Sequence, residues 1–252
     1  MKTLAVYNVK GGVGKTAAAI NLASLAAASG LPTILWDLDP QGGASWYLHA
    51  DRAKSPAKSP DKAIWRGDKP LGPRILETPQ ANLHLIPADL DSRHLDTWLR
   101  KSEDDPQALK RLAQPLSEQY ALLVLDCPPS LSYLADNIFA AADRVLVPVV
   151  PTHLSLRALM TLIDYFKSHD LPRSRLQPFW SMADRRRLLH RMLIEQPPKP
   201  MRDVCRAVIP YAAAVERMGE HRAPVESFDP TSAAAEAYRA LWQELAPVLK
   251  QP

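Results

Sequence analysis

Cysteine is nearly absent: the chain has two in 252 residues, Cys127 and Cys205. That is too few for a disulfide framework or a four-ligand zinc site, so a reducing cytoplasm is the expected setting. No hydrophobic run is long enough to span a bilayer, since Ala17 to Ala28 is short and interrupted by Asn21 and Ser24. Met1 leads straight into the first predicted strand, so no signal peptide is expected. Neither sign of charge dominates. The 31 Lys and Arg exceed the 27 Asp and Glu by only +4, which favours anionic partners without naming one. What is present is 46% hydrophobic content, enough to bury one α/β core as a single domain over residues 1–252.

The chain is organised around Val6 to Ala17, an apolar strand that ends in a glycine-rich turn and closes with Gly14-Lys15-Thr16. Gly11, Gly12 and Gly14 permit backbone conformations closed to other residues, so successive N–H groups can converge on phosphate oxygens. Val13 and Ala17 complete the turn and the first helical turn. Lys15 adds charge at the outer phosphates, and the Thr16 hydroxyl is placed to ligate magnesium. The predicted helix from Ala17 to Ser29 presents its positive end to the same anion.

An ordinary Walker A motif needs glycine where this chain has Val9, and here a second lysine, Lys10, precedes the glycines. Lys10-Gly-Gly-Val-Gly-Lys-Thr16 resembles the deviant Walker A pattern of the ParA/MinD superfamily, and of its ParA branch in particular. The resemblance implies ATP and Mg2+ as cofactors, catalytic roles for Lys10, Lys15 and Asp39, and a homodimer in which Lys10 reaches the partner's nucleotide. Asp39-Pro-Gln-Gly-Gly-Ala44 resembles the family's first switch, usually DPQGN, with Gly43 in place of asparagine. Asp39 would orient the attacking water, and Asp37 would support the magnesium shell; the plainer reading of Asp39 is a turn cap before Pro40.

The predicted strand Tyr120 to Asp126 puts Asp126 at the Walker B position, holding a magnesium-bound water, and Cys127-Pro-Pro-Ser130 resembles the second switch. Cys127 has no histidine nearby in sequence and reads as a packed thiol. Further along, the family pattern places Pro151, Met182, Pro210 and Tyr211 near the nucleotide base, and His153 reads as a loop histidine.

Alternating strands and helices indicate a doubly wound, mostly parallel sheet of about seven or eight strands. The other predicted strands are Met1 to Asn8, Thr33 to Asp39, Leu83 to Pro87, Arg144 to Val150, Leu176 to Met182 and Cys205 to Pro210. Helices are expected over 90–99, 108–116, 136–142, 161–168 and 233–249. Residues 50–82 carry a basic excess with recurring proline and glycine and read as a surface excursion, tacked down by Ile64, Trp65 and Leu71. That loop is either solvated or a DNA contact.

A second basic cluster, Arg185, Arg186, Arg187 and Arg191, offers the first candidates for DNA phosphates, against the alternative of a solvated helix face. Relatives carry arginines where this chain has Tyr211 and Ala214; Arg217 and Arg222 are the nearby substitutes. The terminal helix has Ala237, Leu241, Trp242 and Leu245 at helical spacing and reads as core.

The resemblance therefore implies a small ParA-type ATPase without an N-terminal helix-turn-helix. It would bind DNA non-specifically and use a ParB-like or other adaptor to position cargo on the nucleoid, with no membrane partner. The rivals are a MinD-like membrane-cycling ATPase, a metabolic enzyme of the superfamily such as an amide ligase or iron-sulfur reductase, and a nucleotide-dependent scaffold with little turnover.

Overall fold

The computed structural model describes residues 1–48, 71–88 and 106–250. The predicted helix over 90–99, the basic residues of 50–70, and the tacking residues Ile64 and Trp65 lie outside the described residues.

In chain order the first half comprises β1 (Lys2–Val6), α1 (Lys15–Ala28), β2 (Thr33–Asp37), α2 (Gly43–Leu48), β3 (Leu76–Glu77), β4 (Leu83–Ile86), α3 (Ala108–Ala113) and β5 (Leu122–Asp126). The second half comprises α4 (Tyr133–Ala141), β6 (Arg144–Val149), α5 (His153–Ser168), β7 (Leu176–Ala183), α6 (Leu188–Glu195), β8 (Val208–Pro210), the short α7 (Ala213–Glu216), α8 (Met218–His221) and α9 (Val225–Phe228), and α10 (Ala233–Leu249).

The eight strands form one sheet in the order β3-β4-β2-β5-β1-β6-β7-β8, as the alternating pattern predicts. Every pairing is parallel except β3 with β4. From β1 the chain runs outward to β2 and β4, then returns through β5 and crosses β1 to β6, β7 and β8. The β1–β5 crevice is therefore the point at which the connections change direction, where ligands of open α/β sheets bind.

Strand residues alternate between two cores. Ala5, Tyr7, Ile34, Trp36, Leu123 and Leu125 pack with α3, α4 and α5, whereas Leu4, Val6, Leu35, Leu122 and Val124 pack with α1 and α10. Helix α1 is buried on most of its surface because Ala18, Ala19, Ala23 and Ala26 let it lie close to both the sheet and α10. It ends where Gly30, at φ +80°, reverses the chain and the Leu31 N–H bonds back to the Ala26 carbonyl at 3.2 Å. Leu71 is buried in the core, as expected of a tacking residue.

Several boundaries differ from the sequence reading, two of them for a visible physical reason. Helix α5 begins at His153, eight residues before the predicted start at Thr161, because the Thr152 hydroxyl caps it by accepting from the Ser155 N–H. His153 is thus a helical residue, not a loop residue. Strand β8 starts at Val208 instead of Cys205, since the Arg206 and Ala207 amides donate to the Glu244 carboxylate of α10 at 2.8 and 2.7 Å. The expected excursion contains the edge strand β3, which the sequence reading missed.

Candidate nucleotide site

The strand register sets Val6, Asp126 and Asp37 side by side at the C-terminal ends of β1, β5 and β2. The loop from Val9 to Gly14 leaves β1 at this edge. Asn8 fixes its start: its amide donates to the Pro148 carbonyl at 2.8 Å, and its Oδ1 accepts from the Lys10 N–H at 2.9 Å. Gly12 and Gly14 sit at φ +69° and +90°, where a Cβ would be strained. Ser181 of β7 closes the loop from the far side by donating to the Val13 carbonyl at 2.8 Å. A Cβ on Gly14 would come within 3.0 Å of the Ser181 Oγ.

Charge inside the cradle is buried. Lys15 is 7% exposed, and burial pulls its ammonium below the ordinary lysine range against the attraction of Asp126 and Asp39. Asp126 is fully buried, and neither of its oxygens has a hydrogen bond of normal geometry among the described residues. Burial pushes its carboxyl well up, reinforced by Asp37 and Asp39, while the Thr16 hydroxyl and Lys15 oppose that shift. Asp37 is raised to about 6 by burial, against hydrogen bonds from the Ser45 N–H at 2.8 Å and the Ser45 hydroxyl at 2.7 Å. Unpartnered buried carboxylate oxygens are costly, which suits a site completed by a cation or by water on a cation.

Among the described residues no group of three or more His, Cys, Asp or Glu forms a metal cage. Magnesium needs none, since it keeps several waters and takes few protein ligands beside phosphate. Thr16, Asp37, Asp39 and Asp126 fit that role.

Asp39 is half-buried at the mouth, where its Oδ1 accepts from the Gln41 N–H at 3.0 Å. The Gly43 departure from DPQGN has a steric basis: a Cβ there would lie 3.1 Å from the Thr16 Cγ2, so α2 starts directly over the threonine. The second switch is tied down by the Tyr7 hydroxyl, which donates to the Ser130 carbonyl at 2.8 Å. Cys127 is fully buried and burial raises its thiol, as a packed cysteine requires. Ser45, Asn8 and Ser181 were missed from sequence. Ser45 and Asn8 lie beside motifs and carried a local signal, but nothing near Ser181 announces a partner on Val13.

A cleft of about 300 Å³ opens at the ends of β6, β7 and β8. Met182, at φ +52°, and Tyr211 line it together with Val150, Thr152, Arg187 and His190. Pro151 is buried behind it and Pro210 is half-buried at the end of β8. A larger cavity of about 910 Å³ lies at the opposite pole, among Lys2, Gln107, Asp143 and Arg144. It is at the N-terminal ends of the strands, away from the loop that can hold phosphate.

The basic candidates are exposed but mostly engaged. Arg186 makes two hydrogen bonds to Asp184, at 2.9 and 3.0 Å, and Arg187 lies 3.6 Å from the same carboxylate. Arg191 donates to the Arg185 carbonyl. Arg217 pairs with Asp229 at 2.5 Å, and Arg222 stacks over Trp46 at 4.9 Å. Arg185 is fully on the surface.

An AAA-domain family matches residues 1–176. The chromosome-partitioning ATPase Soj of Treponema pallidum is 31% identical over 249 residues, covering 97% of this chain and 96% of Soj. Among solved structures, a cobyrinic acid a,c-diamide synthase from Mycobacterium smegmatis with bound ADP and magnesium is 25% identical, with TM-score 0.78 over 100% of this chain and 96% of that one. A putative plasmid partition protein of Borrelia burgdorferi bound to AMPPNP superposes with TM-score 0.80 at 21% identity, covering 98% of each chain, and shows the shared fold. The chain therefore belongs to the ParA/MinD superfamily of P-loop ATPases, on its partition branch.

Proposed function

We propose that this ATPase pairs with a second copy of itself on binding Mg-ATP, binds DNA without sequence preference, and positions a plasmid, chromosome region or other cargo. A ParB-like or other adaptor would stimulate hydrolysis and release it. The observation that carries the nucleotide half of this reading is Asp126, buried with neither oxygen in a hydrogen bond of normal geometry among the described residues, beside the buried Lys15 and the left-handed glycine turn. Such a cradle gains most from a polyphosphate and a hydrated cation, which satisfy groups that otherwise pay for burial.

Each residue then has a part. Backbone N–H groups of residues 11–16 hold the phosphate oxygens, and Lys15 compensates the outer charges. Magnesium, when bound, neutralises charge between the outer phosphates. Thr16 and Asp126 would hold it, with Asp37 and Asp39 acting on its waters. Ser45 keeps Asp37 in place through its two bonds. Asp39 sits outside that pairing at the mouth and orients the attacking water. The Lys10 side chain is half-buried and makes no hydrogen bond or ion pair among the described residues, which supports a role across the dimer interface.

Arg185 and Arg191 are the best-placed DNA contacts, with Arg186 and Arg187 joining if Asp184 releases them. Arg217 and Arg222 are bound within the fold, which lowers their claim. Among the described residues no helix is long and apolar enough to cross a membrane. Helix α10, the last described helix, packs Tyr238, Leu241, Trp242 and Leu245 into the core and does not itself present an apolar face to a membrane.

The test is Asp39→Ala with magnesium and ATP. The variant should bind ATP normally, elute as a dimer and retain DNA while turnover falls at least about a hundredfold. Normal turnover with a monomer only would reject both the Asp39 role and the dimer cycle. The synthase neighbour gives the amide-ligase reading its one support. That reading requires turnover indifferent to DNA, so the same assay run with and without DNA separates the two.

A further inference from the structure

His190 belongs to none of the motifs, yet its side chain is 3% exposed and lines the cleft at the ends of β7 and β8. Its Nδ1 accepts a hydrogen bond from the Asp184 backbone N–H at 3.0 Å. A backbone amide only donates, so Nδ1 carries the lone pair and the neutral ring holds its proton on Nε2. Burial, helped by the charge of Arg187 and opposed by Asp184, holds the imidazole below its ordinary range, which keeps the ring neutral near pH 7. Among the described residues Nε2–H has no protein acceptor. A neutral, tautomer-fixed donor therefore stands at the cleft without a partner.

The cleft and the phosphate loop meet the same strand, β7. Ser181, which donates to the Val13 carbonyl, immediately precedes Met182 in the cleft wall. About 300 Å³ is ample for one purine base. The Arg187 guanidinium and the Tyr211 ring offer flat faces for it.

We propose that His190 selects the base, its Nε2–H donating to the unprotonated ring nitrogen N1 of adenine. The assignment rests on the Mg-ATP reading above. Guanine carries a hydrogen at N1, so donor would face donor and GTP would leave Nε2–H unpaired. A residue outside every motif thereby sets which nucleoside triphosphate the loop accepts.

Equilibrium titrations of the full chain with magnesium test this, using ATP, GTP, 1-deaza-ATP (C–H in place of N1) and inorganic tripolyphosphate as probes. Wild type should bind 1-deaza-ATP about tenfold more weakly than ATP. His190→Ala should erase that difference by weakening ATP alone, narrow the gap between ATP and GTP, and leave tripolyphosphate unchanged. His190→Gln, which can both accept from the Asp184 N–H and donate, should retain part of the preference. Equal affinity for ATP and 1-deaza-ATP in wild type, or an undiminished difference in His190→Ala, overturns the assignment. Should the alanine variant fail to fold, the wild-type comparison and His190→Gln still decide. Failure of wild type to bind either ATP or tripolyphosphate would instead reject the Mg-ATP reading itself.

Discussion

The two charged regions of this molecule are built in opposite ways. At the C-terminal ends of β1, β5 and β2, Lys15, Asp37 and Asp126 are buried, and among the described residues neither Asp126 oxygen has a hydrogen bond of normal geometry. On the surface after β7, Arg185, Arg186, Arg187 and Arg191 are exposed, and two of them already lean on Asp184. Burial makes the first region expensive to maintain and hence selective for whatever completes it. Solvent makes the second cheap and unselective, which is what contact with a uniform phosphate backbone needs. A charged cluster counts as a binding site when its groups lack partners of their own, and by that standard the cradle is a site, whereas two of the four arginines already have a partner in Asp184.

The sharpest way to break the contrast is Lys15→Ala. Removing a buried cation from the cradle should weaken ATP at least about a hundredfold by calorimetry, far beyond what any one surface arginine can do to DNA. Near-normal ATP affinity would put the two regions on the same footing and reject the phosphate-loop assignment.

Next in size is the backbone. Gly14→Ala places a Cβ at φ +90° and 3.0 Å from the Ser181 Oγ, and should cost about 2 kcal/mol in denaturant unfolding. Adding Ser181→Ala relieves the contact but not the dihedral, so only part should return. Full recovery in the double variant would mean that the left-handed turn carries no strain.

The buried carboxylates also make stability depend on pH. Asp37 stands at about 6 in the fold against an ordinary 3.8, so folding favours its protonated form. The contribution is complete below about pH 4 and is lost as pH rises through about 6. The nucleotide-free protein should accordingly melt a few degrees higher near pH 5 than near pH 7.5, and Asp37→Asn should flatten that slope. A wild-type melting temperature that rises between those values would show that Asp37 is ionised and paired in the fold.

The smallest expected effect tests the arginine surface. Arg186 holds the Asp184 carboxyl down at about 2, so that carboxylate is ionised at any working pH. Asp184→Asn should free Arg186 and Arg187, raise DNA affinity about threefold in mobility shifts and steepen its salt dependence. Unchanged DNA binding would mean that this surface is only solvated and would direct attention to the basic stretch from Arg52 to Arg74.

Much of the cradle was legible in sequence because its parts are neighbours along the chain or mark strand ends. Lys10 to Thr16 is one covalent turn, and Asp37 and Asp126 each close an apolar run. Seven strands of the sheet were legible from the same apolar runs, whereas the two-residue edge strand β3 was not. Helix α5 starts earlier than its sequence pattern indicates because the Thr152 hydroxyl caps it, and β8 is shorter because Glu244 on α10, distant in sequence, takes the Arg206 and Ala207 amides. The standing of Arg217 and Arg222 was invisible for the same reason. Their partners Asp229 and Trp46 lie on other segments, Trp46 far away in sequence.

By itself, then, the sequence determined the nucleotide chemistry: a left-handed glycine turn, a lysine, a threonine and strand-end aspartates depend on local conformation and short spacing, which covalent order dictates. Only the tertiary structure decided which charges remain available. It set Asp126 beside Asp37 through strand register, closed the loop with Ser181, locked the His190 tautomer against Asp184, and tied Arg186, Arg217 and Arg222 to partners within the fold. Availability depends on burial and on what each polar group already touches, and neither quantity exists until distant segments pack.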